Sequence, residues 1–83
     1  MKAAIKVLAF AGAGDVIGAP EVLLEVTGTC TAGDVVDKLC ANYPRLVPFR
    51  PILRVAVNGE YADLDARVAP GDEVALIPPV AGG

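Results

Sequence analysis

The chain is predicted to be an α+β protein, a mixed sheet of about five strands with one main helix packed on one face. Three observations predict this. Strand-like alternation of apolar and polar residues recurs at Ile5–Phe10, Glu21–Thr27, Leu53–Val57 and Glu73–Ile77. A single stretch, Val35 to Tyr43, carries helical periodicity instead. That helix lies between strands, so a later strand can return beside the first in parallel through a right-handed crossover.

The first element, Lys2 to Ala11, puts Ile5, Val7 and Ala9 on one side and Lys6, Leu8 and Phe10 on the other. Gly12 to Pro20 is punctuated by glycine and reads as a long hairpin connection. Glu21–Thr27 alternates again, with Val22, Leu24 and Val26 inward and both glutamates outward. Thr31-Ala32-Gly33-Asp34 has the form of a capping box with Asp in place of the usual Glu or Gln. Behind it Val35, Val36, Leu39, Cys40 and Tyr43 form one helical stripe, and Asp34 and Lys38 stand four apart in the favourable order. Pro44 stops the helix, because the residue before a proline is driven out of the helical region.

Pro44 to Pro51 reads as an irregular connector. Leu53–Val57 is a strand, Asn58-Gly59 a two-residue hairpin signal, and Glu60–Ala62 a short return strand. Leu64 and Val68 are expected beneath a single helical turn, and Pro70-Gly71-Asp72 turns into the last strand. Facing Val36, Leu39 and Cys40, the inward residues Ile5, Val7, Val22, Leu24, Val55, Val57, Val74 and Leu76 make the core of a β-grasp, or ubiquitin-like, roll. Residues 1–77 are expected to form this one domain, and residues 78–83 an extended tail.

Composition fits a small domain of this kind. Apolar residues supply 54% of the 83 positions, yet aromatics only 5% and Trp none, so the core must rest on aliphatic side chains. The net charge is −3 and the seven basic residues are scattered, which argues against nucleic acid or an anionic membrane as partner. No apolar run is long enough to span a bilayer, and Met1-Lys2-Ala3-Ala4-Ile5-Lys6 reads as a strand rather than a signal peptide. Cys30 and Cys40 match no zinc or Cys-x-x-Cys spacing and read as small buried hydrophobes in a reducing, cytoplasmic compartment. Absence of His excludes a Cys-His nucleophile pair and an imidazole metal site.

Two motifs invite chemistry that the chain does not support. Gly12-x-Gly14 follows a strand, but Gly18 falls one residue late for a dinucleotide fingerprint, and a second strand follows. Asp63, Asp65, Asp72 and Glu73 do not have calcium-loop spacing and read as solvated turn charges. A third feature concerns the sheet. With Ile5, Val7, Val74 and Leu76 toward the helix, Leu8, Phe10, Ala75 and Ile77 face away, where Tyr61 can join them. Left uncovered, such a patch marks an interaction surface; a different register, or long loops folded over it, would remove it.

The chain ends Pro78-Pro79-Val80-Ala81-Gly82-Gly83. The prolines end ladder pairing and favour an extended stalk, with two side-chain-free residues at its tip. Such an end is most often frayed; the alternative is a tail that enters a narrow cleft and presents its carboxylate.

Ile5-Lys6-Val7-Leu8-Ala9-Phe10-Ala11, Val55-Ala56-Val57-Asn58, Gly71-Asp72-Glu73-Val74-Ala75 and the Pro-Pro-Val-Ala-Gly-Gly ending resemble the MoaD family of sulfur carriers, the small subunits of molybdopterin synthase, within the ubiquitin-like superfamily they share with ThiS. The resemblance implies that the carboxylate of Gly83 is adenylated by an E1-like, MoeB-like enzyme that consumes ATP, and is then converted to a thiocarboxylate with sulfur from a donor system. It implies insertion of Pro78, Pro79, Val80, Ala81 and Gly82 into a MoaE-like large subunit, where two sulfur transfers build the molybdopterin dithiolene. It further implies a docking face at Phe10, Tyr61, Ile77 and Leu8, no stably bound cofactor or metal, and no catalysis by this chain alone. Where such relatives often carry Arg-Glu after the first strand, this chain has Gly14-Asp15. Carriers for thiamine, tRNA thiolation or cysteine, and ubiquitin-like modifiers that form isopeptide bonds, would share the same activation.

Overall fold

A computed structural model describes residues 3–77. The main sheet has five strands in the order β2-β1-β7-β4-β5, with β1 Ala3–Ala9, β2 Glu21–Val26, β4 Arg54–Val57, β5 Glu60–Ala62 and β7 Glu73–Ile77. The first strand is antiparallel to β2 and parallel to β7, and β4 is antiparallel to both β5 and β7. The helix α2, Ala32–Asn42, covers one face. This is the predicted mixed β-grasp sheet, and the parallel pair is its central feature.

Local signals in the sequence explain most elements. Thr31 Oγ1 accepts from Asp34 N at 3.1 Å and the Asp34 carboxylate accepts from Thr31 N at 3.0 Å, so the capping box forms with Asp in the third position. Asp34 is thereby committed to the cap, and Lys38 donates to the Glu25 carbonyl at 2.7 Å. Tyr43 closes the helix before Pro44. At Asn58-Gly59 both residues have positive φ, 52° and 87°, the twist that a two-residue hairpin requires. The core joins Ile5, Val7, Val55, Val74 and Leu76 from the sheet to Val35, Val36, Leu39 and Cys40 from α2. Val22 and Val57, expected inside, lie partly buried at its rim.

Three segments differ from the sequence reading. Ala11, read as the end of the first strand, and residues 12–17, read as part of a hairpin connection, form a helix α1, Ala11–Ile17. Gly and Ala-Gly repeats are poor helix signals, but burial of Ala13 and Ile17, four apart, outweighs that propensity. Gly14 permits the close approach: a Cβ there would lie 3.0 Å from the Ala9 carbonyl oxygen. The helix ends at Gly18, with φ 89°, whose N–H donates to Gly14 O at 2.8 Å.

Pro44–Ile52, read as irregular, is a 3-10 helix. Proline's fixed φ suits that geometry, and Leu46 is fully buried in the core. Arg50 Nε bonds Asp37 Oδ1 at 2.7 Å and ties the segment to α2. The single helical turn expected over Leu64 and Val68 reduces to one hydrogen-bonded turn, in which Ala66 N donates to Asp63 O at 3.0 Å, and no helix forms. Val68 belongs to a strand β6, Arg67–Val68, paired with β3, Cys30–Thr31, while Leu64 is 43% exposed. The first amides of α2 take the carbonyls here: Ala32 N donates to Ala66 O at 2.9 Å and Gly33 N to Leu64 O at 2.7 Å.

Candidate functional site

The sheet face turned away from α2 is built by register. Residues paired across neighbouring strands share a face, so Leu8 of β1, Ala75 of β7, Ala56 of β4 and Tyr61 of β5 form one row: Leu8 opposes Ala75, Ala75 opposes Ala56, and Ala56 opposes Tyr61. Two alanines in the middle keep the row low, and they are nearly closed over, while Tyr61 is 73% exposed. Phe10 stands just past β1, its N–H donating to Leu76 O at 3.4 Å, and is 50% exposed. Leu8 and Ile77 are half-buried. The register predicted from alternation therefore holds, and Phe10, Leu8, Ile77 and Tyr61 do lie on one side of the sheet.

Sequence reasoning passed over Ala56 and Arg54. The alternation Arg54-Val55-Ala56-Val57 already carried the signal, since Val55 is buried against the helix and its neighbours must face the other way. Arg54 stands directly opposite Ile77, the residue that precedes Pro78. Together with Tyr61, Asp63 and Leu64 it lines an open cavity of about 300 Å³ at the β5 edge. The far end of the face is polar: Lys6 opposes Glu73 and Leu23, and its Nζ lies 3.9 Å from Glu21 Oε1. Pro78, Pro79, Val80, Ala81, Gly82 and Gly83 lie outside the described residues.

Neither cysteine belongs to this face: Cys30 lies in β3 and Cys40 in α2. Burial pushes the Cys30 thiol up, with the Asp34 charge adding to the effect and Lys38 opposing it. Burial also raises Cys40, partly offset by Arg50. Both are free thiols; Cys40 is buried as expected, whereas Cys30 is only half-buried in β3. Asp72 is held below the usual carboxylate range by the Ala69 N–H, which donates to Oδ2 at 2.8 Å, and by Asn58. It shapes the turn, as the sequence suggested. Among the described residues no group of three or more His, Cys, Asp or Glu could hold a metal ion, and no helix is long and apolar enough to cross a membrane.

Known proteins share this arrangement. The sequence model of the ThiS family matches residues 7–83. The chain is 38% identical over 79 residues to the molybdopterin synthase sulfur carrier subunit of Arabidopsis thaliana, covering 95% of this chain and 82% of the plant protein. It is similar to the crystal structure of the small archaeal modifier protein 1 of Haloferax volcanii, with TM-score 0.82, 34% identity and coverage of 94% and 99% of the two chains. The complex of subunits 1 and 2 of the molybdopterin-converting factor from Helicobacter pylori shares the fold, with TM-score 0.67, 20% identity and full coverage of both chains. A family match from the first strand to the last residue, carried on a mixed sheet with one covered and one open face, places the chain by sequence and architecture together: it belongs to the ThiS family.

Proposed function

We infer that the chain is the sulfur carrier subunit of a molybdopterin synthase and carries sulfur as a thiocarboxylate on Gly83. The observation that carries this reading is the family match through residue 83, together with 38% identity to a plant carrier subunit over nearly the whole chain. The apolar face around Phe10 and Ile77, beside the strand that leads to the tail, supports it.

The chemistry is concentrated in the terminal carboxylate. A carboxylate resists acyl substitution because its leaving group is oxide; attack of its oxygen on the α-phosphorus of ATP expels pyrophosphate and leaves an acyl adenylate. A sulfur nucleophile at the oxidation level of sulfide then adds to the acyl carbon, AMP departs, and a thiocarboxylate remains. An E1-like enzyme supplies the activation, and ATP is its substrate rather than a resident cofactor of this chain. Gly82 and Gly83 lack a Cβ, so nucleophiles approach the carbonyl unobstructed inside a partner's cleft. Phe10, Leu8, Ile77 and Tyr61 dock on the partner, which for transfer to the pterin is a large subunit that supplies the catalytic groups. The subunit pair of the Helicobacter pylori factor supports a two-subunit arrangement.

The likeness to the Haloferax volcanii modifier favours one second reading, in which activated Gly83 is captured by protein lysines. Intact-mass measurement after co-expression with an E1-like enzyme separates the two. A gain of about 16 Da, oxygen replaced by sulfur on the acyl group, is expected for the carrier. Absence of that gain, with Gly83 recovered in lysine isopeptides, would overturn the carrier reading.

A further inference from the structure

The open face has two charged ends of different character. At one, Lys6 is compensated: Glu73 opposes it in the ladder and Glu21 lies 3.9 Å from its Nζ. At the other stands Arg54, exposed and directly across the ladder from Ile77. Among the described residues the Arg54 guanidinium makes no hydrogen bond or ion pair. Asp63, the residue after the Ala62 that opposes Val55, lines the same cavity without pairing with it. Arg50, by contrast, is committed to Asp37 at 2.7 Å.

Position makes this cation consequential. Its cross-strand neighbour Ile77 and the exposed ring of Tyr61 are apolar, so any surface that covers them also strips water from the guanidinium. A purely apolar partner would carry that desolvation cost without return, whereas a carboxylate offset against the planar fork forms a charge-assisted pair. Because Arg54 flanks the residue before Pro78, such a pair would also fix how the domain turns about its own tail as the tail enters a cleft.

We propose that Arg54 is a specificity-determining residue of the docking face, selecting a partner surface that presents an Asp or Glu carboxylate beside the mouth of the cleft that takes the C-terminal residues. The inference rests on the docking reading of the apolar face. Lys6, already flanked by acids, does not serve this role, and the neutral row Leu8, Ala75, Ala56 and Tyr61 provides contact area without charge of its own.

Calorimetric titration of a molybdopterin synthase large subunit with the full chain tests this, using wild type, Arg54→Lys, Arg54→Gln, Arg54→Glu and Phe10→Asp at low and high salt. Arg54→Glu should weaken binding about tenfold or more and Arg54→Gln by less, with Arg54→Lys retaining most of the affinity. Wild-type affinity should fall with salt, and the Gln variant should lose part of that dependence. Binding of both Gln and Glu variants within about twofold of wild type, with unchanged salt dependence while Phe10→Asp is impaired, would overturn the role of Arg54 and leave the docking face standing. No binding by wild type would overturn the docking reading itself, and this inference with it. Thermal melts of the variants, expected to match wild type at this exposed position, separate binding from folding.

Discussion

A Cβ placed on Gly14 would lie 3.0 Å from the carbonyl oxygen of Ala9, closer than side-chain carbons approach backbone oxygen without displacement. Helix α1 thus rests against the end of β1 through a glycine. The contact is with backbone, so relief requires the helix or the strand end to shift. Gly14→Ala gains about 1 kcal/mol of helix propensity but should lose more through overpacking, about 1–3 kcal/mol. A modestly lower melting temperature is the expected result of thermal denaturation, and an unchanged or raised one would show that α1 yields freely.

Leu46 sits fully buried within a segment that carries three prolines. If the 3-10 helix is a wall of the core, Leu46→Ala should cost about 2–5 kcal/mol, as for other buried leucines. The neighbouring exposed Val47→Ala should cost no more than about 0.5 kcal/mol. Equal, small effects in chemical denaturation would mark the segment as a loose connector.

Asn58 holds φ 52° and its Oδ1 accepts from Glu73 N at 3.0 Å, joining the β4–β5 turn to the start of β7. Asn58→Gly keeps the backbone accessible and removes the side-chain bond; Asn58→Ala removes both. Urea denaturation should rank wild type above Gly and Gly above Ala, with Ala costing about 1–2 kcal/mol. Reversal of Gly and Ala would remove the positive φ as the cause.

Asp72 makes folding pH-dependent in a defined direction. Its carboxylate is held below its ordinary value by the Ala69 N–H and by Asn58. A depressed folded-state pKa means that the contribution is present above the unfolded value, about 3.9, and is lost as pH falls through the folded one. Stability of wild type should therefore decline on acidification through that window more steeply than that of Asp72→Asn. Parallel curves would show that the turn carboxylate does not contribute.

Phe10 is half exposed and its ring contributes little to the core, so Phe10→Asp should leave the melting temperature nearly unchanged while weakening large-subunit binding about tenfold or more. Deleting Gly82-Gly83 should leave that binding measurable yet abolish sulfur transfer in a reconstituted synthase. Retained transfer would remove Gly83 from the chemistry.

Much of this protein was determined by the sequence alone. Alternation in β1, β2, β4 and β7, the Thr31–Asp34 box, Pro44 and Asn58-Gly59 are local devices whose physics acts within a few residues, and each reappears in the structure. The face shared by Leu8, Phe10, Ile77 and Tyr61 followed from the same two-residue period. The family was legible because the residues that carry the resemblance are linear stretches, Gly71-Asp72-Glu73-Val74 and the ending among them, and the family match spans residues 7–83. Tertiary structure decided the remainder. Whether Ala11–Ile17 becomes loop or helix depends on a sheet end for Ala13 and Ile17 to cover, and propensity is too weak to foretell that. Pairing of Cys30 with Val68 joins residues far apart in the chain, and no local pattern encodes it. Likewise, only the β4–β7 register sets Arg54, whose side chain has no partner among the described residues, opposite Ile77, because a cross-strand neighbour is set by the ladder and not by the order of residues.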